Sequence, residues 1–148
     1  MNRARLACMA GAVAVLLSGC IAPAVNGGAF AQNAKSALES ASSETSTAQI
    51  ALGTLLSGNA TNAYTDTVVT DSENAMGGIQ TSFGVVDPPS PDQDKLRDDA
   101  LTLLGDADDA LAHARIAVRR GDPAAVRAAR KELEAATAHL ESAREKLK

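Results

Sequence analysis

Arg119-Arg120-Gly121-Asp122-Pro123-Ala124-Ala125-Val126 decides the fold. Glycine after two basic residues is a helix C-terminus, aspartate is an N-cap, and proline suits the first helical position. One helix ends here and another begins at once, so the two must fold back on each other. Upstream, Leu96, Ala100, Leu103, Ala107, Leu111, Ala114 and Val118 recur at three and four residues and make one helical stripe over 91–120. Its acids Asp92, Asp94, Asp98 and Asp99 come early and its bases Arg115, Arg119 and Arg120 late, complementing the helix dipole. Downstream, Val126, Leu133, Leu140 and Leu147 repeat every seven residues with Ala129, Ala136 and Ala143 between them, predicting a helix over 123–147. Leucine alternating with alanine at this spacing suits tightly packed antiparallel helices. Gly105 is a weak point inside the third helix, and it is also a place where another helix could cross closely.

The same punctuation recurs before this hairpin. Asp87-Pro88-Pro89-Ser90-Pro91 is a linker whose end starts the third helix, with Ser90 as N-cap, Pro91 at the first position and Gln93 completing a capping box. Phe30, Ala34, Ala37, Ala41, Ala48, Leu52 and Leu55 give a first helix over 29–57, stopped by Gly58, with Asn59 as the next N-cap. Tyr64, Val68, Ala75 and Ile79 give a second over 60–83, with a kink or fraying expected at Gly77-Gly78. Two hairpins joined by a proline linker predict an all-α, up-down-up-down antiparallel four-helix bundle over residues 29–148. Phe30 and Phe83 should then meet at one end, and both tight turns should lie at the other.

Residues 1–28 have a different character. Arg3 and Arg5 precede an uncharged run from Leu6 to Leu17, about 18 Å long as a helix. A bilayer core needs roughly twenty apolar residues, so this is a leader rather than a span. The run closes on Leu17-Ser18-Gly19-Cys20. This resembles the lipobox of bacterial lipoprotein precursors, an aliphatic residue and two small residues before a cysteine. The resemblance covers the first twenty residues only. It implies cleavage between Gly19 and Cys20, lipidation (palmitate among the acyl groups) on Cys20, and a lipid anchor on the extracytoplasmic face of the cell membrane. Ile21 stands where some Gram-negative lipoproteins carry an inner-membrane retention aspartate, so in a two-membrane host the outer membrane is expected. The reading without the resemblance is an ordinary secretory signal. Ile21 to Gly28 would be a short tether, with Pro23 and Gly27-Gly28 opposing regular structure.

The precursor carries 14 basic and 18 acidic residues. The leader takes two bases and no acid, leaving the mature chain at a net charge of −6. That balance argues against nucleic acid as a partner. Cys8 would leave with the leader and Cys20 would be acylated, so no thiol remains for a disulfide, a metal or a nucleophile. No phosphate loop, nucleophile elbow or paired-carboxylate arrangement appears, and no cofactor is indicated. An enzyme is not expected.

The one concentration of charge against the trend is Arg115, Arg119, Arg120, Arg127, Arg130 and Lys131, which the bundle gathers at the end away from the tether. The first three suit the dipole of the third helix. Arg127, Arg130 and Lys131 lie early in the fourth, where the dipole disfavours bases, so they are candidates for a protein or anionic cell-envelope partner, or for pairing with Asp122, Glu132 or Glu134. Two alternatives remain. Terminal Lys148 resembles the wall-linked lysine of small helical murein lipoproteins, which implies a structural role. Asp109 and His113, four residues apart, could form one side of a metal site, though no second helix carries the Glu-x-x-His pattern of di-metal bundles. The oligomeric state stays open, because alanine seams can also be completed between two chains.

Overall fold

The computed structural model describes residues 26–147. The leader, the cleavage position at Gly19 and Cys20, the first part of the tether and Lys148 lie outside the described residues. Within them are four helices and no strand: α1 (Gly27–Leu56), α2 (Asn62–Gly84), α3 (Pro91–Arg120) and α4 (Pro123–Glu145).

Local chemistry sets each boundary. Asn26, in extended conformation, caps α1 by accepting from the Ala29 amide at 2.9 Å. With that cap in place Gly27 and Gly28 form the first turn of the helix, so the tether is shorter than their composition suggests. At the other end Gly58 adopts φ 76°. Its amide donates to Leu55 O at 2.9 Å and that of Asn59 to Thr54 O at 3.0 Å, which is a Schellman termination. Asn59 is therefore spent on ending α1, and Thr61 caps α2 instead, accepting from Tyr64 N at 3.2 Å. Gly121 takes φ 63°, and the Asp122 carboxylate accepts from the amides of Ala124 and Ala125, as the turn sequence predicts. Ser90 sits at the start of α3 without a side-chain cap bond, so the capping box with Gln93 does not form. The Gln93 side chain packs instead beside Gly27.

The helices pair in opposite directions. Between α1 and α4, Glu39 reaches Arg144, Ser42 reaches Glu141, and Thr45 and Gln49 both reach Thr137. Between α2 and α3, Asp66 meets Arg119, Glu73 meets Arg115, and Gln80 Nε2 donates to Leu104 O at 3.1 Å. Phe30 and Phe83 meet, ring centroids 5.6 Å apart, at the end where α1 and α3 begin. α1 and α3 also touch across the middle, whereas α2 and α4 do not touch. The cross-section is thus a rhombus with α1 and α3 on the short diagonal.

Alanine makes this closeness possible. Twelve of the twenty-five buried apolar residues are alanine, so backbones approach and each residue buries little area. Larger side chains fill the axis: Leu38, Leu52, Leu104, Leu111, Leu133 and Leu140 are fully buried. The stripes expected on α1 and α4 face the core. That on α2 is turned by one residue: Thr65, Val69, Ser72, Met76 and Phe83 are buried, and Tyr64 is exposed. α2 is also unbroken through Gly77-Gly78. A Cβ at Gly105 would meet nothing within 4 Å, so that glycine serves no close crossing.

Candidate functional site

Both tight turns lie at the end of the bundle away from Asn26, and the charge noted in the sequence collects there. Asn62, at the start of α2, ties the hairpins together by donating its side-chain amide to Val118 O at 3.3 Å. The six basic candidates then separate into two groups.

Arg115 and Arg119 belong to the α2–α3 seam. The Arg115 guanidinium grips Glu73 with two nitrogens, one of them at 3.0 Å, and both side chains are more than two thirds buried. The carboxylate hydrogen bond and its charge raise the Arg115 pKa further, so this cation never titrates. Arg119 holds Asp66 at 2.7 Å. Asp108 completes the seam beside Gln80. Burial raises its pKa, and the nearby Glu73 carboxylate adds to the rise. The sequence offered Asp122, Glu132 and Glu134 as partners for Arg127, Arg130 and Lys131, and no such pair forms among the described residues. The acids used by Arg115 and Arg119 are Glu73 and Asp66, identifiable only once the register of α2 against α3 is known.

Arg120, Arg127, Arg130 and Lys131 are exposed and make no ion pair among the described residues. Arg127 borders a cleft of about 190 Å³ lined by Leu55, Leu56, Asn62 and Val126. Arg130 lies over α1, its Nη1 3.7 Å from where a Cβ on Gly53 would stand. One turn back from Gly53 is Ile50, 71% exposed. Thr54 follows Ile50 by one turn and shares a shallow cleft with Tyr64, which is 61% exposed. A band therefore runs from Arg127 and Arg130 across Ile50 to Tyr64, joining unmatched positive charge to exposed apolar and aromatic surface. The expected stripe of the second helix placed Tyr64 in the core, whereas that of the first already left out Ile50, two residues from both Ala48 and Leu52.

No protein-family model, curated protein or solved structure matches this chain. The residues themselves carry the reading.

His113, considered with Asp109, bonds instead through Nδ1 to Glu132 on α4 at 3.0 Å, with both side chains at least half exposed. Among the described residues no group of three or more His, Cys, Asp or Glu is placed to hold a metal ion. No described helix is long and apolar enough to cross a membrane. What the band can do chemically is bind. Arginine forks suit carboxylates or phosphates, and Ile50 and Tyr64 offer area to bury.

Proposed function

We propose that this chain is an extracytoplasmic lipoprotein, anchored through lipid on Cys20, whose helical bundle is a non-catalytic binding or scaffolding module. The observation that carries the binding role is the unmatched set Arg120, Arg127, Arg130 and Lys131 beside exposed Ile50 and Tyr64. On a chain of net negative charge, Arg127, Arg130 and Lys131 lie early in α4, where the dipole does not explain them, and together with Arg120 they are left without partners among the described residues, so they are poorly explained by stability alone. Arginine and aromatic residues together are the composition that protein interfaces enrich, which supports a protein partner with an acidic face over a purely anionic polymer. The lipobox and basic leader support the anchor. Five residues separate Cys20 from Asn26, a span of at most about 20 Å, which would leave the band on the side facing away from the membrane.

The return of α4 to the level of Glu39 supports this reading over wall attachment. A wall linker should carry its C-terminal lysine outward.

The test is the double reversal Arg127→Glu with Arg130→Glu, made in the native host and followed by chemical cross-linking on intact cells. The expected outcome is loss of a discrete protein adduct while the circular dichroism melt of the purified variant is unchanged. An identical adduct pattern in the variant would remove the binding role of this band and favour a structural lipoprotein.

A further inference from the structure

At the tip of the bundle the basic band borders an apolar socket. Residues 57–61 join α1 to α2 and residues 121–122 join α3 to α4, and neither connection is long enough to fold over the end of the core. A cleft of about 190 Å³ is left between the two turns. Leu55 and Leu56 from the end of α1 and Pro123 and Val126 from the start of α4 give it apolar walls. Val126 belongs to the buried core, whereas Leu55 and Leu56 are only partly covered. A dry apolar cavity of about 150 Å³ can hold one benzene molecule, so this cleft has room for one side chain of leucine or phenylalanine size.

Its polar rim is basic. Arg127 lines the cleft and makes no ion pair among the described residues, and Arg130 and Lys131 follow it by one turn of α4 in the same condition. Asn62 lines it too. The amide nitrogen of Asn62 is spent on Val118 O at 3.3 Å, which leaves its carbonyl oxygen to accept from the backbone N–H of a ligand. Of the acids nearby, Asp122 is held as the cap of α4 by the amides of Ala124 and Ala125, and Asp66 is neutralised by Arg119. Glu132 is turned to His113 on α3, and Glu134 lies about two turns of α4 beyond Arg127. The rim therefore attracts carboxylates.

We propose that the partner of the basic band is an acidic protein segment that inserts one leucine-sized side chain into this socket and sets a flanking carboxylate on the Arg127 guanidinium. This rests on the binding role proposed above and adds the anchoring contact to it. A side chain sunk in an apolar pocket beside an arginine is the arrangement that carries most of the energy at protein interfaces. A phosphate polymer would satisfy the arginines and leave the socket in water. The chain could itself supply another occupant, since Val85 is 53% exposed and Asp87 follows it, near the acid-rich start of α3. The anchor would hold that end by the lipid, out of reach of a neighbour's tip on the same membrane.

The test uses the full-length Cys20→Ser chain, which cannot be acylated there, titrated with the capped peptide acetyl-Asp-Glu-Leu-Asp-Glu-amide. Binding is read from the NMR shifts of the Leu55, Leu56 and Val126 methyl groups. One saturable site is expected, and replacing the leucine of the peptide by alanine should weaken it about tenfold. Leu56→Trp should fill the socket and abolish the preference for leucine, and Leu55→Trp makes the same test if the first variant does not fold. Arg127→Glu with Arg130→Glu should abolish binding of both peptides. Equal affinity for the leucine and alanine peptides, both lost in that double reversal, would overturn the socket and leave the binding role of the band standing. Absence of saturable binding would also overturn the inference, and the role of the band falls with it only if the adduct pattern on cells is unchanged by the same reversal. Concentration-dependent dimers in sedimentation, lost in Val85→Ser, would overturn it in favour of a second copy of this chain.

Discussion

A glycine serves a fold where its backbone leaves the right-handed region and weakens it where a helix simply passes through. Gly58 and Gly121 are of the first kind, at φ 76° and 63°. Gly77 and Gly78 are of the second: both are helical, and a Cβ on either would meet nothing within 4 Å. Alanine at 77 or 78 should therefore stabilise by roughly 0.5–1 kcal/mol each. Alanine at 121 should cost roughly 1–2 kcal/mol, since an L side chain is strained there. Its Cβ would also come within 3.4 Å of the Asn62 amide that joins the hairpins. Urea denaturation of the single variants decides this. Loss of stability in Gly77→Ala would mean that the helix needs flexibility at that turn. The stopping glycines were legible because they follow the last periodic residue of a helix. The fraying expected at Gly77-Gly78 is absent because propensity is local, whereas the packing of Met76 and Phe83 on either side holds the helix through the pair.

At the scale of the element, α2 is where the sequence was least transparent and the polar seam most informative. Its expected stripe followed the most apolar side chains, Tyr64, Val68 and Ile79, yet the buried face includes Thr65 and Ser72. In an alanine-rich bundle a small hydroxyl residue fits where a tyrosine would not, so size outranks hydropathy. The Thr65 hydroxyl is left without a hydrogen-bond partner, a cost accepted for that fit. Turning the helix by one residue also lets Asp66 and Glu73 meet Arg119 and Arg115. The positions of the basic cluster were thus legible, but the division into paired and unpaired members was not, because it depends on an acid-bearing face one residue away from the predicted one. Asp108 supplies the pH test of this seam. Its pKa is raised in the folded chain, so the carboxyl costs nothing below its ordinary range, and stability falls as pH rises through the folded pKa. Asp108→Asn removes that loss. Its stability relative to wild type should increase from pH 3 to pH 7 in urea titrations. A difference that stays constant with pH would show that Asp108 ionises without penalty.

The whole molecule has two unlike ends. α1 is 30 residues long, about 45 Å, and separates the end that holds Asn26 and the aromatic pair from the end that holds the turns and unpaired arginines. An anchor at Cys20 gives this polarity a consequence, because it would hold the aromatic pair near the lipid and the basic band out in the envelope. Without the anchor the two ends have no fixed direction. The decisive measurement is the intact mass of the protein extracted in detergent from its native membranes. The expected species begins at Cys20 and carries two or three acyl groups, with no addition elsewhere. Wall fragments on Lys148 would overturn the orientation, since α4 would then have to leave α1 to reach the wall. An unacylated chain beginning at another residue would reduce Leu17-Ser18-Gly19-Cys20 to coincidence. In that case both ends would be equally accessible in solution, and the basic band would need a soluble partner rather than one fixed in the envelope.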